Sequence, residues 1–100
     1  MTAANVVHMR VKPGQEEAFI RIHKEMPMAA MKGALSFSLV KSGERQFIVM
    51  GEWESLDAMA AARPAMIANL DKLRPLLEDL GGGRGVTEPW SGEIVLKRSA

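Results

Sequence analysis

The chain has 100 residues, of which 47% are hydrophobic and 25% charged, and its formal net charge is +1. This balance is ordinary for a globular protein and offers no basic stripe for nucleic-acid phosphates. The absence of cysteine excludes disulfides, thiolate metal sites and a cysteine nucleophile. No apolar run reaches the roughly 18 residues that span a bilayer, and no signal core follows the N-terminus. We therefore expect a one-domain cytoplasmic protein that binds neither nucleic acid nor membrane.

The first two predicted elements are a strand and a helix joined by a turn. The β-branched residues of segment 5–12 predict a strand that ends at Pro13 and Gly14. Residues with helical spacing then share one face: Phe19, Ile22, His23 and Met26. Pro27 should end this helix, although the stretch after it could continue as a further turn before Gly33.

A hairpin is predicted next. Residues 34–41 alternate apolar and serine side chains, which indicates a half-buried strand. A tight connection at residues 42–44 leads into a second strand. Its run from Phe47 to Met50 is apolar at every position, so this strand should be covered on both sides.

The second half of the chain predicts helices and a final extended segment. Ser55 is a good N-cap for a helix that lasts until Pro64, and Pro64 should lie in the first turn of the next helix. Apolar residues repeat there with helical spacing: Ile67, Leu70, Leu73, Leu77 and Leu80. The glycine-rich segment 81–85 ends this helix. An extended segment follows over residues 86–96, where Pro89 excludes a regular central strand.

The order β-α-β-β-α-β predicts an α+β, ferredoxin-like sandwich: a four-stranded antiparallel sheet with helices on one face. The other face of the sheet is then bare. Because the run from Phe47 to Met50 points apolar side chains to both faces, a lone subunit would expose a large apolar surface. We therefore expect a homodimer that packs sheet against sheet.

Three motifs resemble the antibiotic biosynthesis monooxygenase family of dimeric α+β barrels. They are Val-Lys-Pro-Gly-Gln-Glu-Glu-Ala-Phe at 11–19, a second strand anchored near Gly33, and Gly-Glu-Trp-Glu-Ser at 51–55. The resemblance covers most of the chain and implies one such domain over residues 1–100. It also implies a cavity between sheet and helices that binds a small apolar or aromatic molecule.

The family that the chain resembles includes cofactor-independent oxygenases of aromatic polyketide quinols or anthrones, and relatives that degrade haem. The oxygenases need a base, a donor for the substrate anion and a dry enclosure, because the deprotonated substrate itself reduces O₂. The resemblance therefore implies a monooxygenase without metal or flavin. Haem degradation is disfavoured, because the family's strand asparagine falls on Val7 by register from Pro13 and no histidine follows His23.

The candidate base is His23, because it shares the apolar helix face and an imidazole near pKa 6.5 can accept a phenolic proton. The alternative is a histidine that a backbone carbonyl satisfies. Trp53 is either a packing residue or a wall of the pocket, and Arg63 is either an anion contact or an exposed helix-end arginine. The other residues expected to bind substrate are apolar: Phe19, Met26 and Met50.

Several features favour ordinary structural roles. His8 should lie at a rim or dimer contact, and Asn5 is either a hydrogen-bond donor on the first strand or a frayed terminal residue. Two histidines without converging carboxylates do not make a metal site. The eight methionines are interpreted as residues that fill gaps in the core. The chain has no tyrosine. That absence favours the alternative function, a non-catalytic ligand-binding or structural dimer of the same fold.

Overall fold

The computed structural model describes residues 1–100 and contains four strands and three α-helices. In chain order the elements are β1 (Ala3–Arg10), α1 (Glu16–Lys24), β2 (Ala34–Gly43), β3 (Gln46–Trp53), α2 (Leu56–Ala61), α3 (Arg63–Leu73) and β4 (Glu88–Glu93). Single 3-10 turns at Met28–Ala30 and Arg74–Leu76 follow α1 and α3. No helix has both the length and the apolar character that crossing a membrane requires.

The four strands form one antiparallel sheet in the order β2-β3-β1-β4. This order confirms the predicted ferredoxin-like α+β fold. The last strand is shorter than the predicted extended segment 86–96, and it lies at the edge of the sheet. An edge strand tolerates Pro89 because one row of its N–H groups has no partner strand.

The two faces of the sheet are both apolar, as the run in β3 predicts. Phe47 and Val49 point towards the helices, whereas Ile48 and Met50 point to the bare face. Only 13 of the 100 residues are buried, so the core is thin. It consists of two clusters on the helix-covered face. The first contains Met9, Val11, Phe19, Phe47, Leu73 and Leu77; the second contains Ala3, Met31, Trp53, Met59 and Ala62.

The hairpin between β2 and β3 turns at Glu44 and Arg45, later than the predicted connection at 42–44, because β2 continues through a bulge to Gly43. Arg45 has φ of +61°, which is uncommon for a residue with a side chain. Its backbone N–H donates to Glu16 Oε1 at 2.7 Å, and its guanidinium donates to the Val11 carbonyl at 3.0 Å. These bonds tie the hairpin to the residue that follows β1 and to the first turn of α1.

Gly33 permits a close approach between the start of β2 and helix α2. Its φ is +85°, and a Cβ at this position would lie 2.6 Å from the Cβ of Ala58. The Gly33 carbonyl also accepts the Glu54 N–H at 2.8 Å. A glycine is therefore required here both by the backbone conformation and by the space available.

We expect Gly33→Ala to destabilise the protein by about 2–4 kcal/mol, because left-handed backbone strain adds to overpacking against Ala58. Gly14→Ala is the matched control, since Gly14 has φ of +78° but a Cβ there would meet no atom within 4 Å. Urea unfolding of both variants measures the difference. Equal losses of stability would show that the contact with Ala58 contributes nothing.

Candidate functional site

A cavity of about 610 Å³ lies between the helix-covered face of the sheet and the three helices. It exceeds the roughly 300 Å³ at the lower end of ligand pockets. Of its 22 lining residues, 14 are hydrophobic. Members of both core clusters line it, including Met9 and Leu73 from the first and Met31 and Met59 from the second. The cavity therefore separates the two halves of the core.

His23 lines this cavity and also a smaller one of about 220 Å³ beside β2. Its Nδ1 lies 2.9 Å from the Phe19 carbonyl oxygen. Because a carbonyl only accepts, Nδ1 carries the hydrogen and Nε2 holds the free lone pair. No buried side-chain nitrogen or oxygen lacks a partner in this protein, so the unpartnered Nε2 is accessible to solvent, and His23 borders both cavities. The backbone carbonyl thus satisfies one ring nitrogen and leaves the basic one available.

Burial lowers the pKa of His23 below its ordinary value of 6.5, and the hydrogen bond to the Phe19 carbonyl partly opposes this effect. The free-energy cost of removing the imidazolium from water exceeds the stabilisation that the hydrogen bond gives it. The imidazole is therefore neutral at pH 7, which is the form that accepts a proton or a hydrogen bond.

Asn5 supplies hydrogen-bond donors to the same cavity. The Trp53 indole Nε1–H donates to its side-chain oxygen at 2.8 Å. Because an indole only donates, this bond fixes the orientation of the amide and leaves both Nδ2 hydrogens unpaired. Asn5 lines the cavity, and since no buried polar side-chain atom lacks a partner, the free Nδ2 is accessible from it.

A glycine makes room for this arrangement. Gly51 is the register partner of Asn5 across β1 and β3. A Cβ at Gly51 would collide with the Asn5 side-chain oxygen and lie 2.8 Å from Phe37. Asn5 is not frayed, because β1 begins at Ala3 and is paired on both sides.

Three residues expected to bind substrate do not line the cavity. Phe19 and Trp53 are fully buried in the first and second core clusters, respectively. Phe19 packs against Phe47 with ring centroids 4.9 Å apart. Met50 points to the opposite face of the sheet, where 47% of it is exposed. Trp53 therefore acts on the cavity indirectly, through its hydrogen bond to Asn5 and its edge-to-face contact with Phe37, both of which line the cavity.

Met26 and Arg63 do line the cavity. Arg63 is the first residue of α3, is exposed, and makes no side-chain hydrogen bond or ion pair, including any to the last carbonyls of α2. Phe37 from β2 and Asp57 from α2 also line the cavity, and Trp90 borders it from the edge strand β4. No group of three histidine or acidic residues is arranged to hold a metal ion.

The family model of antibiotic biosynthesis monooxygenase matches residues 2–65. The fold resembles that of Rv0793 from Mycobacterium tuberculosis, with 16% identity, a TM-score of 0.77, and coverage of 99% of this chain and 100% of that one. A candidate antibiotic biosynthesis monooxygenase from Chloroflexus aurantiacus is 21% identical with a TM-score of 0.74, and the match covers 99% of this chain and 98% of that one. A variant of SnoaB, a cofactor-independent oxygenase from Streptomyces nogalater, is 16% identical with a TM-score of 0.69, and the match covers 96% of this chain and 95% of that one. No curated protein matches by sequence.

We expect the free energy of unfolding to decrease as the pH falls through about 6.5, because His23 in the unfolded chain then takes up a proton before the folded protein does. The contribution of the neutral buried imidazole is complete above that pH and declines towards the lower folded-state pKa. Denaturant unfolding at pH 7.5, 6.5 and 5.5 measures this change in the free energy of unfolding.

His23→Gln should lose this part of the pH dependence, whereas His8→Gln should keep it, because His8 lies outside the cavity and bonds to Gln46 at 2.7 Å. If His23→Gln and the wild type lost the same stability over this range, burial of the imidazole would not be its cause.

Proposed function

The chain belongs to the antibiotic biosynthesis monooxygenase family, and on that premise we propose that it oxidises a small aromatic, polyketide-like substrate with O₂, without metal or flavin. The observation that carries the proposal is the presence of a free imidazole Nε2 and free amide N–H groups on one largely apolar cavity. These belong to His23 and Asn5. The likeness to SnoaB, a cofactor-independent oxygenase, supports the same reaction class.

In the proposed first step, the aromatic ligand displaces water from the apolar walls and loses a proton to Nε2 of His23. The Asn5 amide donates hydrogen bonds to the oxyanion that develops on the ring. A base with a lowered pKa is weak, so this donation has to share in lowering the barrier. The ligand's displacement of water from the cavity strengthens both interactions.

For an anthrone, the carbanion formed at the ring methylene then gives one electron to O₂. The resulting carbon radical and superoxide combine to a peroxide, which takes the proton back from the imidazolium of His23. Loss of water with the remaining methylene hydrogen leaves a carbonyl. One CH₂ group and one O₂ thus become one C=O group and one H₂O, and both the electrons and the atoms balance.

Arg63 is proposed to contact an anionic group of the ligand. It is an exposed cation of the cavity lining without an intramolecular partner. A guanidinium in this position can bind a carboxylate or phenolate with two N–H groups. Asp57, which also lines the cavity, would disfavour a second anionic group on the ligand.

We further propose a homodimer in which a second copy covers the bare face of the sheet. Family proteins are typically dimeric. The register places Trp90, Val6 and Met50 in one row across three strands, with Ile48 and Val40 in the adjacent row. Trp90 and Met50 are 60% and 47% exposed. The same rows also contain Ser38, His8 and Glu88. Exposed and half-exposed apolar side chains from all four strands are characteristic of an interaction surface.

We expect EDTA-treated protein to consume O₂ with an anthrone or quinol from a small panel, and to incorporate label from ¹⁸O₂ into an anthrone product. His23→Ala should lower the rate by about 10²–10⁴-fold through loss of the base, and Asn5→Ala by about 10²–10³-fold through loss of the oxyanion donor. His8→Ala should retain activity. Ligand binding without O₂ uptake across the panel would instead support the non-catalytic alternative.

We expect Met50→Glu to shift the protein from dimer to monomer in sedimentation velocity, because a charge would be buried at the proposed interface. Met28→Glu is the matched control, since Met28 is 46% exposed but lies on the 3-10 turn after α1. A folded wild-type monomer at micromolar concentration would contradict the dimer.

A further inference from the structure

Five of the eight methionines line the cavity of about 610 Å³. They come from distant parts of the chain: Met9 in β1, Met26 after α1, Met31 before β2, Met59 in α2 and Met66 in α3. Met1, Met28 and Met50 lie elsewhere. The fold therefore gathers side chains that have no common spacing in the sequence.

This concentration exceeds an even distribution. The cavity uses 14 hydrophobic residues, and 47% of the 100-residue chain is hydrophobic, so an even spread would place about two methionines in its walls. Gap filling in the core explains methionine in general. It accounts for Met9, Met31 and Met59, which also belong to the core clusters. It does not account for Met26 and Met66, which are only half-buried and border the empty space.

Methionine has two properties that suit a ligand wall. Its unbranched side chain has three rotatable bonds, so it adapts to ligands of different outline at little cost. Its thioether is polarizable and makes favourable contacts with aromatic rings, worth about 0.3–1.5 kcal/mol each. Apolar side chains dominate the cavity wall, with 14 hydrophobic residues among the 22 that line it.

We propose that these five residues form an adaptable methionine wall that sets the ligand range of the cavity. The wall accepts planar aromatic molecules of two or three fused rings and discriminates against saturated rings of similar volume. This inference takes its ligand class from the proposed function, but it concerns binding and not oxidation. Met26 and Met66 are its main selecting residues, because they are only half-buried while Met9, Met31 and Met59 are almost fully buried.

Methyl-¹³C methionine labelling tests the proposal with internal controls in a single molecule. Under anaerobic conditions, the protein is titrated with 1,5-dihydroxynaphthalene, with 1,8-dihydroxyanthraquinone and with the saturated decalin-1,5-diol. We expect ring-current shifts at the methyl signals of cavity methionines with both aromatic probes. The signals of Met28 and Met50 should not move, and the decalin diol should bind at least about tenfold more weakly.

A pair of double variants tests the role of the thioethers. Leucine has nearly the volume of methionine, so replacement preserves apolarity and packing. The double variant Met26→Leu, Met66→Leu should bind one or both aromatic probes about tenfold more weakly. It should also bind a narrower range of aromatic ligands than the wild type. Met28→Leu with Met50→Leu should leave both affinities unchanged.

Three results would overturn the proposal: no binding of either aromatic probe, equal affinity for the decalin diol, or wild-type affinities in the variant of the cavity pair. Failure of the proposed oxygenase function is a separate result. It would appear as normal aromatic binding in this titration together with absent O₂ uptake.

Discussion

The burial of Trp53 is the constraint on which the candidate site depends. Its indole is fully buried in the second core cluster, and its one N–H must find an acceptor there. The acceptor is the side-chain oxygen of Asn5, on the neighbouring strand. Packing and polarity thus act together, because the same contact that satisfies the indole also directs the free amide hydrogens of Asn5 into the cavity. The flanking position Gly51 has to lack a side chain for this geometry to exist.

A second constraint comes from the composition of β3. Its apolar residues face both sides of the sheet, and the helices cover only one of them. On the covered side the side chains do not fill the available space, and the cavity divides the core into two clusters. A chain with so thin a core has little surplus stability, so covering the second face with a partner would compensate for the space left open on the first.

The sequence predicts the fold better than it predicts the site. Strand alternation and helix spacing identify which face of an element is buried, and they direct His23 and Met26 towards the sheet, where both line the cavity. They do not reveal which buried residues border a void. The same patterns therefore permit Trp53 to be a wall of the cavity, although its side chain is fully buried in the core. Met50 lies outside the cavity because its side chain points to the opposite face of β3 from that of Val49.

Asn5 and Trp90 show the limits of local patterns most clearly. The role of Asn5 depends on its register with Gly51 and its bond to Trp53, both nearly fifty positions away. No pattern near the N-terminus could indicate them. Trp90 lies in a segment interrupted by proline and glycine, where alternation carries little information. Its place beside Val6, on the bare face of the sheet, follows from the pairing of β4 with β1.

The proposed chemistry contains a conflict between enclosure and basicity. The burial that keeps water from the substrate also lowers the pKa of His23, and the carbonyl of Phe19 reverses only part of that effect. A weak base in a dry site transfers protons efficiently only from acids whose own pKa the site can lower. Hydrogen bonds from Asn5 to a phenolic or enolic oxygen would do this, because they stabilise the anion and not the neutral ligand. The site thus favours hydroxylated aromatic substrates, whose negative charge can spread from carbon to an oxygen within reach of the amide.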